Sequence, residues 1–122
     1  MSKQGFQRLS GLAFVLMAMF GLLKIFAQNP GPALTKEDLK NAFLVDVRTP
    51  SEFSDGSVPG AVNIPLDQVA ARLKEFRNKE KVVVFCRSGS RSARAKEILE
   101  SHGIKNVING GSWQNVANVL KK

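Results

Sequence analysis

VVVFCRSGSRS, residues 82–92, is the stretch on which the fold turns. Val82–Phe85 is a run of apolar residues rich in β-branched side chains, which suits a short strand buried on both faces. Cys86 closes it. Arg87-Ser88-Gly89 is a small polar loop, and Ser90 or Ser92 can then cap a helix running to His102. Ala95, Ile98 and Leu99 point that helix inward, and Gly103 is its stop. A strand without a polar face needs cover above and below, which predicts a mostly parallel sheet between layers of helix.

The flanking sequence repeats the alternation. Thr35 opens a short helix with Asp38 at the capping-box position and Leu39 inward. Phe43–Val47 is a strand. Thr49-Pro50-Ser51-Glu52 starts another helix, with Thr as cap, Pro in the first turn and Glu closing the box. Ala61–Ile64 is a short strand ended by Pro65. Leu66, Val69, Leu73 and Phe76 predict one helix ending near Asn78. Asn106–Asn109 is the last strand, Gly110-Gly111 a turn, and Ser112 the cap of a terminal helix carrying Val116, Val119 and Leu120. Phe43, Phe53, Phe76 and Phe85 are core candidates. The fold class is therefore α/β, a central parallel sheet flanked by helices.

The chain has 122 residues, enough for one ordinary domain. It holds a single cysteine and a single histidine, which excludes an internal disulfide and argues against a metal centre or a Ser-His-Asp triad. The formal charge is +8; residues 1–28 contribute Lys3, Arg8 and Lys24 with no acid, and residues 29–122 hold 15 basic against 10 acidic residues. Charges of both signs are interspersed with no aromatic-plus-basic stripe, so nucleic acid is not an expected partner. Leu9–Leu23 is 15 residues without a charge, behind Lys3 and Arg8. That is the pattern of a secretory signal. Extended to Ala27, the stretch would span about 28 Å as a helix, close to a bilayer core of ~30 Å. Residues 1–28 are thus read as a signal peptide or a membrane anchor through residues 9–27, 29–34 as a linker, and 35–122 as the domain. The charges at Lys3 and Arg8, set against Lys24, Lys36 and Lys40 on the other side, favour a cytoplasmic N-terminus and predict a domain outside, in a bacterial periplasm.

Cys86 carries the chemistry of this reading. In open α/β sheets ligands bind beyond the carboxyl ends of the strands. Gly89 allows the φ > 0 geometry of an anion cradle, the following helix points its positive end at the same spot, and Arg87, Arg91 and Arg94 add charge. Such surroundings lower a cysteine from about 8.5 into the range of roughly 3.5–7.5, making a nucleophilic thiolate.

These residues resemble the rhodanese sulfurtransferases. Cys86-Arg87-Ser88-Gly89-Ser90-Arg91 is similar to their C-R-x-G-x-R loop, and Asp46-Val47-Arg48 to their D-x-R motif. Glu52-Phe53 and Gly56-Ser57-Val58-Pro59-Gly60-Ala61-Val62-Asn63-Ile64-Pro65 follow their E-[FY]-x-x-G-H-I-P-G-A-x-N-I-P stretch, and Gly110-Gly111 with Trp113 their terminal G-G-[WFY]. Ser57-Val58 stands where the pattern has His-Ile, and Trp113 is one residue further from the glycine pair than in many members. With its leader the chain looks most like the single-domain periplasmic phage-shock type.

The resemblance implies that Cys86 takes sulfur from thiosulfate or another sulfur-containing donor as a persulfide and passes it to cyanide, a thiol or a protein acceptor. Arg87, Ser88, Gly89, Ser90 and Arg91 would hold the anion, Asp46 and Arg48 would position the loop, and no cofactor is needed. Four residues separate Cys86 from Arg91, against five in the related phosphatases and arsenate reductases, so phosphoryl chemistry is the weaker alternative. A non-catalytic binding module at the membrane is another, and the intact Cys86 and Arg91 speak against it.

Overall fold

The computed structural model describes residues 33–122. The leader assigned to residues 1–28 and most of the linker at 29–34 lie outside the described residues. Among the described residues no helix is long and apolar enough to cross a membrane.

Four parallel strands form one sheet: β1 (Ala42–Asp46), β2 (Val62–Asn63), β3 (Lys81–Cys86) and β4 (Val107–Ser112), in the order β2-β1-β3-β4. The helices are α1 (Lys36–Leu39), α2 (Pro50–Ser54), α3 (Leu66–Val69), α4 (Ser90–Ser101) and α5 (Trp113–Lys121), with a 3₁₀ turn at Leu73–Glu75. Both predicted capping boxes form, Thr35 with Asp38 and Thr49 with Glu52.

The period-2 alternation of β3 divides the core. Val82, Val84 and Cys86 face α3, α4 and the 3₁₀ turn with Val45, Val69, Phe76, Ala95 and Leu99. Val83 and Phe85 face the other layer with Leu39, Val58, Val116 and Val119. Every residue from Val82 to Phe85 is fully buried, as a two-faced strand requires. Of the remaining phenylalanines Phe76 is buried, Phe43 packs edge-on against it at 5.8 Å, and Phe53 is half-buried.

Three local expectations are corrected. The helix expected from Leu66 to Asn78 breaks into α3 and the 3₁₀ turn. Pro65 supplies no side-chain cap, Arg72 leaves helical geometry at φ −119°, and the apolar spacing is met by two short pieces that still bury Val69 and Phe76. Gly110-Gly111 is part of β4, not a turn. Val84 pairs with Asn109 but Phe85 with Gly111, so Gly110 is the extra residue of a bulge. A Cβ there would stand 2.8 Å from Val116 Cγ2 and 3.0 Å from Val83 Cγ1, so the close packing of α5 requires glycine. The N-cap of α4 is Gly89, at φ +101°, and neither Ser90 nor Ser92 caps it.

Candidate active site

Because all four strands are parallel, their carboxyl ends meet at one end of the sheet, and β1 and β3 deliver Asp46 and Cys86 there in adjacent register. The backbone N–H of Val47 donates to Phe85 O at 3.0 Å and ties the two ends together.

Cys86 is buried, at 1% exposure. Its Sγ accepts from the Gly89 backbone N–H at 3.0 Å and lies 3.5 Å from Ser92 Oγ. Burial pushes the thiol up; the Ser92 hydroxyl and the amides of Ser92, Gly89 and Ser88 pull it down and prevail, leaving it below its ordinary value. The left-handed Gly89 is what turns its own N–H onto the sulfur, since other residues resist that conformation. It also lets the loop press on β4: a Cβ at Gly89 would meet Gly111 Cα at 3.4 Å.

The rest of the loop divides. Arg87, Ser88 and Ser90 are exposed. Arg91 grips Glu52 of α2 with both arms of its fork, Nη1 to Oε1 at 2.7 Å and Nη2 to Oε2 at 3.0 Å. The Arg91 fork holds the Glu52 carboxyl down at about 2, with the Thr49 amide assisting. Arg91 is in turn raised above its ordinary value, first by the Glu52 bond and then by the negative charges at Glu52, Cys86 and Asp46. Arg91 also walls an open groove of about 520 Å³, with Val47, Pro65, Leu66, Arg94 and Ile98; the cysteine does not line it.

Asp46 and Arg48 form the second corner. Asp46 is fully buried and Arg48 is 5% exposed. The carboxylate receives the Arg48 backbone N–H at 2.9 Å, Arg48 Nε at 3.0 Å, Arg48 Nη2 at 2.7 Å and Ser57 Oγ at 2.6 Å. Arg48 Nη2 also donates to Gly56 O at 2.6 Å, and the guanidinium lies over the Trp113 ring at 5.3 Å. Ser57, at the position where the pattern has histidine, therefore closes the ring around Asp46. The hydrogen bonds of this pair's side chains run to Gly56, Ser57 and the Arg48 backbone, not to residues 87–91.

Three contributors carry no motif that sequence reasoning picks out as part of the site. Glu52 reads from the sequence as a cap and as part of the E-[FY] stretch, but not as the partner of Arg91, which it anchors across 39 positions. Ser92 is fully buried behind Cys86. Asn109 of β4 stitches the site together: its Oδ1 accepts from Ser92 Oγ at 2.7 Å and Gly111 N–H at 3.0 Å, and its Nδ2 donates to Gly89 O at 3.1 Å. Its one sequence signal is an asparagine placed directly before the glycine pair. Among the described residues no cluster of acidic, histidine or cysteine side chains forms a metal site.

Known proteins share this arrangement of sequence and fold. The family model for the rhodanese-like domain matches residues 32–118. A sulfurtransferase of Allochromatium vinosum is 38% identical over 72 residues, covering 59% of this chain and 67% of its own. The thiosulfate sulfurtransferase PspE of Escherichia coli is 37% identical over 75 residues, covering 60% and 72%. Among solved structures, a rhodanese with anions from E. coli superimposes with a TM-score of 0.58 at 36% identity, covering 62% of this chain and 92% of that one.

Proposed function

The chain belongs to the rhodanese-like domain family, and from that premise we propose that it is a sulfurtransferase working through a persulfide on Cys86. The observation that carries this reading is the Gly89 N–H held 3.0 Å from Cys86 Sγ in a loop with four residues between Cys86 and Arg91. A thiolate is the nucleophile such a loop favours, because amide donors and a helix N-terminus stabilise charge on sulfur.

The Cys86 thiolate attacks the outer sulfur of thiosulfate or a similar donor. A new sulfur–sulfur bond forms while the donor's own breaks, and sulfite leaves with the bonding pair. The outer sulfur now bears the negative charge, for which the amides beside Cys86, Gly89 N–H foremost, are the donors at hand. An acceptor, cyanide or a thiolate, attacks that outer sulfur, and Cys86 departs as thiolate ready for another round. No electrons are gained or lost overall, so no redox cofactor is required. Arg87, exposed on the loop, draws the anion in, while Arg91, fixed by Glu52, supplies a stationary positive charge.

Cys86→Ser tests the assignment. Thiosulfate:cyanide transfer is expected to vanish while the melting temperature stays near that of the parent, and the 32-Da adduct on the sole cysteine is expected to disappear from the intact mass. Retained transfer in this variant would remove Cys86 from the mechanism.

The same proposal puts the domain outside the inner membrane, supported by Lys3 and Arg8 ahead of the uncharged run Leu9–Leu23. Alkaline phosphatase fused after Lys122 folds only where disulfides form, so the fusion is expected to be active. A well-expressed, inactive fusion would put the domain in the cytoplasm.

A further inference from the structure

The network behind Cys86 contains more acceptors than protons. Ser92 carries one hydroxyl hydrogen. Three neighbours lie within its reach: Asn109 Oδ1 at 2.7 Å, Gly89 O at 3.1 Å and Cys86 Sγ at 3.5 Å. Gly89 O is already served by the Ala93 N–H at 3.0 Å and Asn109 Nδ2 at 3.1 Å, which occupy both of its lone pairs. Asn109 Oδ1 receives the Gly111 N–H at 3.0 Å and has one lone pair to spare. Distance and lone-pair count therefore place the Ser92 proton on Asn109.

That placement turns the Ser92 oxygen, not its proton, toward the sulfur. An oxygen lone pair suits a thiol, which can donate its S–H. It does not suit a thiolate, which only accepts. For Ser92 to donate to ionised Cys86, its hydroxyl must rotate away from Asn109.

We propose that Asn109 is a positioning residue for sulfur transfer, which competes with Cys86 for the single proton of Ser92 and so sets how readily the thiol ionises. When the negative charge moves to the outer sulfur of the persulfide, the hydroxyl is released back to Asn109. The inference rests on the sulfurtransferase reading for its place in turnover, whereas the competition itself belongs to the resting thiol. The charged group that interacts with the sulfur is Arg91 of α4, backed by Glu52; Arg87 of the loop is exposed, Asp46 of β1 is held by Arg48, and β4 contributes none.

The test is a double-mutant cycle read by alkylation of the sole cysteine with iodoacetamide across pH. Asn109→Ala also frees a lone pair on Gly89 O by removing Nδ2, so the released hydroxyl divides between Gly89 O and Cys86 Sγ; the rate at pH 7 is expected to rise by roughly two- to fivefold, part of the worth of one net hydrogen bond, and the midpoint to move to lower pH. The same substitution in a Ser92→Ala background is expected to change little, because no proton remains to compete for. Equal changes in both backgrounds, or slower alkylation after Asn109→Ala alone, overturn the proposal. Loosening of the loop through Gly111 and Gly89 appears in both backgrounds and cancels in the difference. If Asn109→Ala loses its cooperative melt, Asn109→Leu removes the same acceptor while filling the site, and must show the same pattern. Alkylation needs no sulfur donor. A protein that transfers no sulfur would refute the proposed function, while its alkylation rates would still decide whether Asn109 competes for the proton.

Discussion

Strands β1 and β3 lie side by side, Asp46 opposite Phe85, and each ends in a side chain that can carry negative charge. Their surroundings are opposite in kind. Asp46 meets a full positive charge in Arg48 and a hydroxyl from Ser57, with its carboxylate sealed from water. Cys86 meets only dipoles, the Gly89 amide and a Ser92 hydroxyl shared with Asn109, with the nearby Arg91 guanidinium already engaged by Glu52. A charge matched by a partner of opposite charge is there to stay. A charge met only by dipoles can come and go, which is what a nucleophile that is alternately thiolate and persulfide requires. The first corner holds the loops around Gly56 and Trp113 in place, and the second is the one proposed to react.

The largest blow to this contrast is aimed at the first corner. Asp46→Ala strands the buried Arg48 without its counter-charge and is expected to cost about 3–5 kcal/mol of stability by denaturant melt. A loss below about 1 kcal/mol would mean the pair is not the structural element described. A smaller effect comes from the bulge beneath the second corner. Gly110→Ala drives a methyl group to within 2.8 Å of Val116 Cγ2 and 3.0 Å of Val83 Cγ1, and overpacking of this kind is expected to cost about 1–3 kcal/mol. An unchanged melt would show that α5 can shift away freely.

The smallest effect sharpens the contrast through Glu52. Its carboxyl is lowered from 4.5 to about 2 in the folded state, so the stability it lends is complete above the unfolded value and is lost as pH falls through about 2. Glu52→Gln keeps the cap on Thr49 but removes the charge. It is expected to cost at most about 1 kcal/mol at pH 7, since both partners are a quarter to a third exposed, and the difference should fade between pH 4.5 and 2. A difference that persists at pH 2 would assign the effect to packing rather than charge.

What can be read from the residues alone is local punctuation. The caps at Thr35 and Thr49, the strand ending at Cys86, the left-handed Gly89 and the stop at Gly103 each depend on neighbours within a few positions, and each is found. The Asp46–Arg48 pair is legible for the same reason, being two residues apart. Glu52 with Arg91 and Ser92 with Asn109 are not, because those partners meet only after the sheet has assembled. The glycine pair shows the limit most clearly. Gly110-Gly111 is locally indistinguishable from a turn, and it becomes a bulge only through its register against β3, a property of two strands rather than one. The break between α3 and the 3₁₀ turn is hidden likewise, since Leu66, Val69, Leu73 and Phe76 satisfy one helix or two short pieces equally well.

Ser57 has a consequence for anyone measuring this site. Where the family pattern carries an imidazole, this chain closes the Asp46 corner with a hydroxyl, and its one histidine sits instead at the far end of α4 as His102, bonded to Ile98 O. No imidazole titrates beside the loop, so a pH–rate curve near neutrality should carry a single inflection. That curve is a direct reading of the Cys86 thiol, free of the overlapping titration that a histidine at this position would add.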